Sequence, residues 1–153
     1  MEDQLVETWK IHNRINNYLL EALPAGSLGT ALAAKHRTIY QIFAHLHNVR
    51  LMWLKSAAPE LLEGLSKLEG DNGEKGDLSA ALTSSGDAIE ALLRKSLAGG
   101  GKIKGFKPHV VAFMGYLISH ESHHRGQISW TLKNTGTPLS QKTSYGLWEW
   151  GVR

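Results

Sequence analysis

Cysteine is absent from all 153 residues, which removes disulfides, thiolate metal sites and any cysteine nucleophile from consideration. Any metal chemistry must therefore use nitrogen or oxygen donors. Long apolar runs are missing too. None approaches the roughly 18 residues that a membrane-spanning helix needs. The opening Met1-Glu2-Asp3-Gln4 has no basic stretch ahead of an apolar one, so no signal peptide is expected and a cytoplasmic location follows by default. Neither sign of charge dominates: 17 basic residues stand against 14 acidic ones, a net charge of +3. Only Lys102, Lys104 and Lys107 cluster, in a glycine-rich loop that reads as solvated rather than as a nucleic-acid contact. Strand-like alternation is lacking as well, which leaves helices. With 42% hydrophobic and 20% charged residues, the expectation is one soluble all-α domain over residues 1–153, with neither membrane nor nucleic acid as a partner.

Helical spacing appears four times. Residues 3 to 22 carry Leu5, Ile11, Ile15, Tyr18, Leu19 and Ala22 before Leu23-Pro24-Ala25-Gly26 stops the pattern. His12 lies at the edge of that stripe and is expected as a hydrogen-bonded boundary residue. A second helix is predicted from about Ala33 to Ser56, with Ile39, Ile42, Phe43, Leu46, Val49 and Trp53 on one face. Residues 57 to 77, broken by Pro59, Gly64, Gly70, Gly73 and Gly76, read as a crossover connection with a short helical turn at Glu60 to Leu65. A third helix spans 78 to 97 with Asp77 as its N-cap and Gly99, Gly100 and Gly101 at its end. The fourth runs from Pro108, in its first turn, to about Asn134, closed by Gly136 and Pro138. The tail, with Tyr145, Leu147, Trp148 and Trp150, is expected to pack over one end of the bundle or to meet a partner. The long link between the second and third helices lets them run parallel, so the predicted fold is a four-helix bundle in up-down-down-up order.

The fourth helix contains His120-Glu121-Ser122-His123-His124-Arg125-Gly126-Gln127-Ile128, three of the chain's eight histidines within five positions. At about 100° per residue His120 and His124 lie one turn apart on the same side. That side also carries Val110, Phe113, Met114, Leu117 and Ile128. Two inward imidazoles each need a partner, because buried polar groups are costly unpaired, and one divalent metal serves both. His45 and His47 stand about 100° either side of Leu46, so periodicity leaves open which of them looks inward as a third ligand. A three-histidine site suits zinc, nickel or iron and leaves coordination positions open. His36, His109 and His123 read as boundary or surface residues.

Residues 120 to 124 also spell H-E-x-x-H, in which the glutamate of a zinc peptidase is the general base. The extended form needs glycine three residues after the second histidine, whereas Gly126 comes two after, and the one downstream carboxylate, Glu149, lies in the aromatic tail. No edge strand is expected that could hold a peptide. A zinc peptidase therefore ranks low. A di-iron bundle needs a second copy of Glu121-x-x-His124, and none exists. Glu121 lies about 40° from the stripe centre and Arg50 comes out at a similar inward angle on the second helix. Pairing the two would let both charges be buried. This structural role ranks above general-base catalysis, and no catalytic residue is assigned.

The segment Phe43-Ala44-His45-Leu46-His47-Asn48-Val49-Arg50-Leu51-Met52-Trp53-Leu54, the run from His120 to Ile128 and the tail Tyr145-Gly146-Leu147-Trp148-Glu149-Trp150 together resemble the DinB-like family, named for DNA-damage-inducible proteins. The resemblance spans nearly the whole chain. It implies an up-down-down-up bundle, often a homodimer, in which one histidine of the second helix joins the two of the last helix on a divalent metal. In the family pattern that histidine precedes a tryptophan by eight residues. Trp53 thereby selects His45 over His47, giving His45, His120 and His124 as ligands and His47 as the alternative. Arg50 is a departure, in a neighbourhood where the family often has an acidic residue. The better understood relatives imply a thiol transferase or isomerase using a low-molecular-weight thiol, such as bacillithiol or mycothiol, on a small electrophile. The competing expectation is a non-catalytic metal- or ligand-binding, stress-related bundle, with a metal-dependent hydrolase ranked below both.

Overall fold

The computed structural model describes residues 1–153. It is mostly helical. Four long helices, α1 (Glu2–Ala22), α2 (Ile39–Ala57), α3 (Lys75–Ala98) and α4 (Val110–Asn134), are joined by a short α5 (Gln141–Gly146), two 3₁₀ turns (Pro59–Leu62 and Trp150–Val152) and a two-stranded hairpin of β1 (Lys102–Ile103) and β2 (Phe106–His109).

The boundaries differ from the periodicity in places where tertiary contacts or side-chain caps take over. α2 starts at Ile39 rather than Ala33. The Thr38 hydroxyl accepts from the Gln41 N–H at 3.1 Å and the Gln41 side chain accepts from the Thr38 N–H at 2.9 Å, a capping box that ends the preceding loop sharply. That loop is itself pinned, by a bridge between Ala31 and Thr38 and by the N–H groups of Ile39 and Tyr40 donating to the carbonyls of Thr30 and Leu28. α3 starts at Lys75 with Glu74 at the cap position. Asp77 therefore falls inside the first turn, where its negative charge complements the positive end of the helix dipole. Pro108 belongs to β2, and α4 is capped by His109, whose Nδ1 accepts from the Ala112 N–H at 3.3 Å. The basic loop is thus a hairpin turning at Lys104-Gly105, where Gly105 has φ +86°. Strands this short cannot register as alternation. At the far end of α4, Gly136 takes φ +87° and the Thr137 N–H reaches the Leu132 carbonyl at 3.0 Å. This reversal needs a residue free to adopt left-handed backbone.

The core has two halves. One gathers Leu19 and Leu20 of α1 with Leu23 just beyond its end, Ile39, Phe43 and Leu46 of α2, Leu78 and Leu82 of α3, and Ile128 and Leu132 of α4. The other gathers Trp9, Leu54, Ile89, Leu93, Val110, Phe113 and Leu117, and Ile103 of the hairpin closes it. Polar bonds fix how α1 and α3 sit: Trp9 Nε1 donates to the Gly86 carbonyl (2.9 Å), Asn13 to that of Leu82 (3.3 Å), Ser79 to the Asn17 side chain (3.1 Å) and Lys75 to the Leu23 carbonyl (2.7 Å). The connection from α2 to α3 is strapped back onto α2. Asn48 exchanges two hydrogen bonds with the Leu68 backbone, at 2.9 and 3.0 Å, and Tyr40 donates to the Glu69 carbonyl.

The tail docks without Tyr145 and Trp148, while Trp150 is half-buried. Leu147 packs on the first core half, Gly146 sits so close to Tyr18 that a side chain would not fit, and the Arg153 guanidinium lies 3.7 Å over the Tyr18 ring. Tyr145 and Trp148 are 64% and 80% exposed.

Candidate metal centre

Between the two core halves lies a polar layer, and α4 divides it. On its inward side Glu121 is buried with Arg50, at 1% and 0% exposure. The pair is bidentate: Arg50 Nε donates to Glu121 Oε1 at 2.7 Å and a terminal nitrogen donates to Oε2 at 2.8 Å. His12 Nε2 and Asn16 Nδ2, one turn apart on α1, also donate to Oε2, at 2.8 and 2.7 Å. The remaining Arg50 nitrogen donates to the Leu82 carbonyl and the Ser85 hydroxyl of α3, and the guanidinium lies 5.0 Å over the Trp9 ring. Arg125 completes the set by donating to Asn16 Oδ1 at 2.6 Å and Ser122 Oγ at 2.7 Å. All four long helices meet here. Burial alone would raise the Glu121 carboxyl, but the Arg50 charge and hydrogen bonds outweigh it and hold the group well below the usual carboxylate range. Burial lowers the His12 pKa, opposed by the hydrogen bond that its Nε2 makes to Glu121.

On the adjoining side of α4, His120 and His124 meet His45 of α2. Their three ring centroids lie 4.6, 4.7 and 5.2 Å apart, edge to face, and one nitrogen of each falls within 4.8 Å of the others. His124 is buried and the other two are half-buried. His124 Nδ1 donates to Gln127 Oε1 at 2.7 Å, which leaves a lone pair on its Nε2, 3.1 Å from His120 Nε2. His120 Nδ1 is buried and has no hydrogen-bond partner. Burial is the first cause lowering all three pKa values, with further depression from Arg37 and from the neighbouring imidazoles. His45 is pushed down to about 4. Neutral imidazoles offering nitrogen lone pairs in a close triangle, with one ring tautomer set by a hydrogen bond to Gln127, are a donor set that fits a divalent metal ion.

His47 faces elsewhere. Its Nδ1 lies 3.1 Å from the Ala81 carbonyl of α3 and its Nε2 lies 2.8 Å from that of Ser66 in the connection. Burial lowers its pKa, while both carbonyls oppose that effect. His36 and His123 are exposed, and His109 is the cap of α4. His12 is fully buried in the Glu121 layer rather than at a boundary. Helical spacing could have flagged Asn16, four residues after His12, and Gln127, three after His124, because each shares a face with its histidine.

Two surface cavities of about 390 Å³ are present. One, between α1 and α3, mixes Lys10 and Arg14 with Asp87 and Glu90 and contains no histidine. The other is lined by Leu32, Lys35, Arg37, Ile42, Gln127 and Trp130, among others, and is linked to His124 through the Gln127 side chain. An aromatic group of Trp53, Phe106, Phe113 and Tyr116 extends from the hairpin toward the centre, where Tyr116 stacks on His120 with ring centroids 6.2 Å apart. No helix is long and apolar enough to cross a membrane.

No curated protein matches the chain. A match to the DinB family covers residues 1–149, almost the whole length and a span that includes both histidine segments; the chain belongs to the DinB family.

Proposed function

We propose that the protein is a metal-dependent enzyme whose divalent ion is held by His45, His120 and His124, and that its reaction transfers a low-molecular-weight thiol to a small electrophile. The observation that carries this reading is the triangle of imidazole nitrogens within 4.8 Å beside a cavity of about 390 Å³. A metal serving only the fold would be expected in a closed shell, whereas His45 and His120 are half-buried. What a divalent ion supplies at such a donor set is Lewis acidity, which lowers the pKa of a thiol or water beside it. The chain's own residues prepare the place. Gln127 holds the proton of His124 at Nδ1, so that Nε2 presents its lone pair, and Tyr116 lies flat along His120. Glu121 is saturated by Arg50, His12 and Asn16, which speaks against its use as a peptidase base.

The scaffold we infer is an up-down-down-up four-helix bundle. Trp9 with Gly86 and Lys75 with Leu23 set α1 and α3 in opposite senses, while His47 with Ala81 and Arg50 with Ser85 set α2 and α3 in the same sense. We further propose a cytoplasmic homodimer, in keeping with the family pattern.

Elemental analysis tests the reading directly. Purified protein given zinc, nickel or iron(II) should retain about one ion per chain, and His124→Ala should not; full retention by that variant would sink the site. Metal-loaded protein should then accelerate the loss of free thiol in a panel of thiols and electrophiles. A metal-bound protein silent across the panel would favour the non-catalytic, stress-related reading.

A further inference from the structure

The cavity beside the three histidines has a chemistry of its own. Two cations line it, Lys35 and Arg37, and no carboxylate does. Both cations are exposed, and neither takes part in any ion pair or side-chain hydrogen bond, whereas each of the chain's five other arginines has a partner. The apolar part of the lining is Leu32, Ile42 and the indole of Trp130, which is 58% exposed. The loop carrying Lys35 and Arg37 is held at both ends by the Ala31–Thr38 bridge and the Thr38–Gln41 capping box, so its cations are presented on a fixed frame. Gln127 belongs both to this lining and to the histidine centre.

We propose that this cavity is the substrate subsite of the centre, and that it takes a small organic anion: a carboxylate on an apolar or aromatic arm, with Arg37 and Lys35 meeting the carboxylate and Trp130 and Leu32 meeting the arm. The assignment rests on the three-histidine reading for its place in catalysis, but not for its binding. Guanidinium and carboxylate match in charge and in planar geometry. A volume of about 390 Å³ lies in the range of small-molecule pockets. Unpaired cations beside a centre that would hold a divalent ion raise the local potential, so an anionic substrate is drawn to it.

The test is calorimetric titration of the full-length protein, with zinc added, using 3-phenylpropanoate, 3-phenylpropanamide and inorganic phosphate, repeated after treatment with a chelator. The acid should bind about tenfold more tightly than the amide, as one charge-assisted contact implies. Arg37→Gln should remove that preference without changing zinc content, and Arg37→Lys should restore part of it. Trp130→Ala should weaken acid and amide alike. Equal binding of acid and amide, or an unchanged preference in Arg37→Gln, overturns the proposal. Phosphate binding as tightly as the aryl acid overturns the apolar arm. Acid binding that survives Arg37→Gln but vanishes with the chelator places the carboxylate on the metal and overturns the subsite. Protein that retains no zinc yet still discriminates through Arg37 sinks the metal reading and leaves the anion subsite standing.

Discussion

His120 and Glu121 are neighbours in sequence on one helix, yet they belong to regions built on opposite terms. Around Glu121 every strong group is answered: the carboxylate receives four hydrogen bonds, Arg50 makes four of its own, and both side chains are at most 1% exposed. Around His120 the groups are left open. One ring nitrogen is buried without a partner, three imidazoles face one another and two nearby cations have no counter-ion. Fully connected polar layers specify how helices meet. Deliberately unsatisfied groups are costly in a resting fold and make sense where a ligand completes them. On the proposed reading, the difference separates scaffold from metal site within a single helical turn.

The largest effect that could break this division comes from Glu121→Gln. It leaves Arg50 buried without its counter-charge, and urea unfolding should show a loss of about 3–5 kcal/mol. A loss below about 1 kcal/mol would mean that the layer does not hold the helices together. Acid offers an independent check. The folded-state pKa of Glu121 is depressed, so its contribution is present above the ordinary glutamate value of about 4.3 and is lost as pH falls below it. The wild type should therefore lose stability below about pH 4 more steeply than the Gln variant.

The opposite pattern is expected on the other side. His45→Ala, His120→Ala and His124→Ala should each weaken zinc binding by more than about a hundredfold, beyond what the loss of an outer hydrogen bond costs. The metal-free chain should change by only about 1 kcal/mol. Metal titration together with unfolding of the stripped protein separates the two. A large loss of stability without a loss of metal in any of the three would move that histidine into the scaffold.

His47→Ala should behave like a scaffold variant although it lies two residues from His45. It removes no metal ligand but takes away a buried ring that lies against the carbonyls of Ser66 and Ala81, at a cost of about 1–3 kcal/mol. Zinc content should stay at the wild-type value. Periodicity could never separate these two histidines, because both stand about 100° from Leu46. Only the position of α3 and the connection, which sit on the His47 side, tells them apart. The helices themselves were legible because each buries a stripe, and Arg50 and Glu121 were legible as charges on inward faces that require one another. His12 and Asn16 were not, since an edge position on α1 becomes buried only once α4 lies against it. The start of α2 was written in Thr38 and Gln41, but the alanines before them have high helix propensity and obscured it. The hairpin escaped because two residues in β1 are too few to alternate.

The smallest and sharpest effect belongs to Gln127. Its side chain accepts the His124 Nδ1–H at 2.7 Å and donates to His123 Nε2 at 3.2 Å, and it is exposed. Gln127→Ala should therefore leave unfolding within about 0.5 kcal/mol of wild type. Without its acceptor, His124 can turn or place its proton on the other nitrogen, and zinc affinity should fall about tenfold. Gln127→Glu keeps the acceptor and strengthens it with charge, so it should match or exceed the wild-type affinity, because a carboxylate behind an imidazole raises the basicity of the far nitrogen. If Ala and Glu weaken zinc equally, the hydrogen bond does not orient His124. If Ala lowers stability while zinc binding is unchanged, the open side of α4 is scaffold after all, and the contrast with Glu121 disappears.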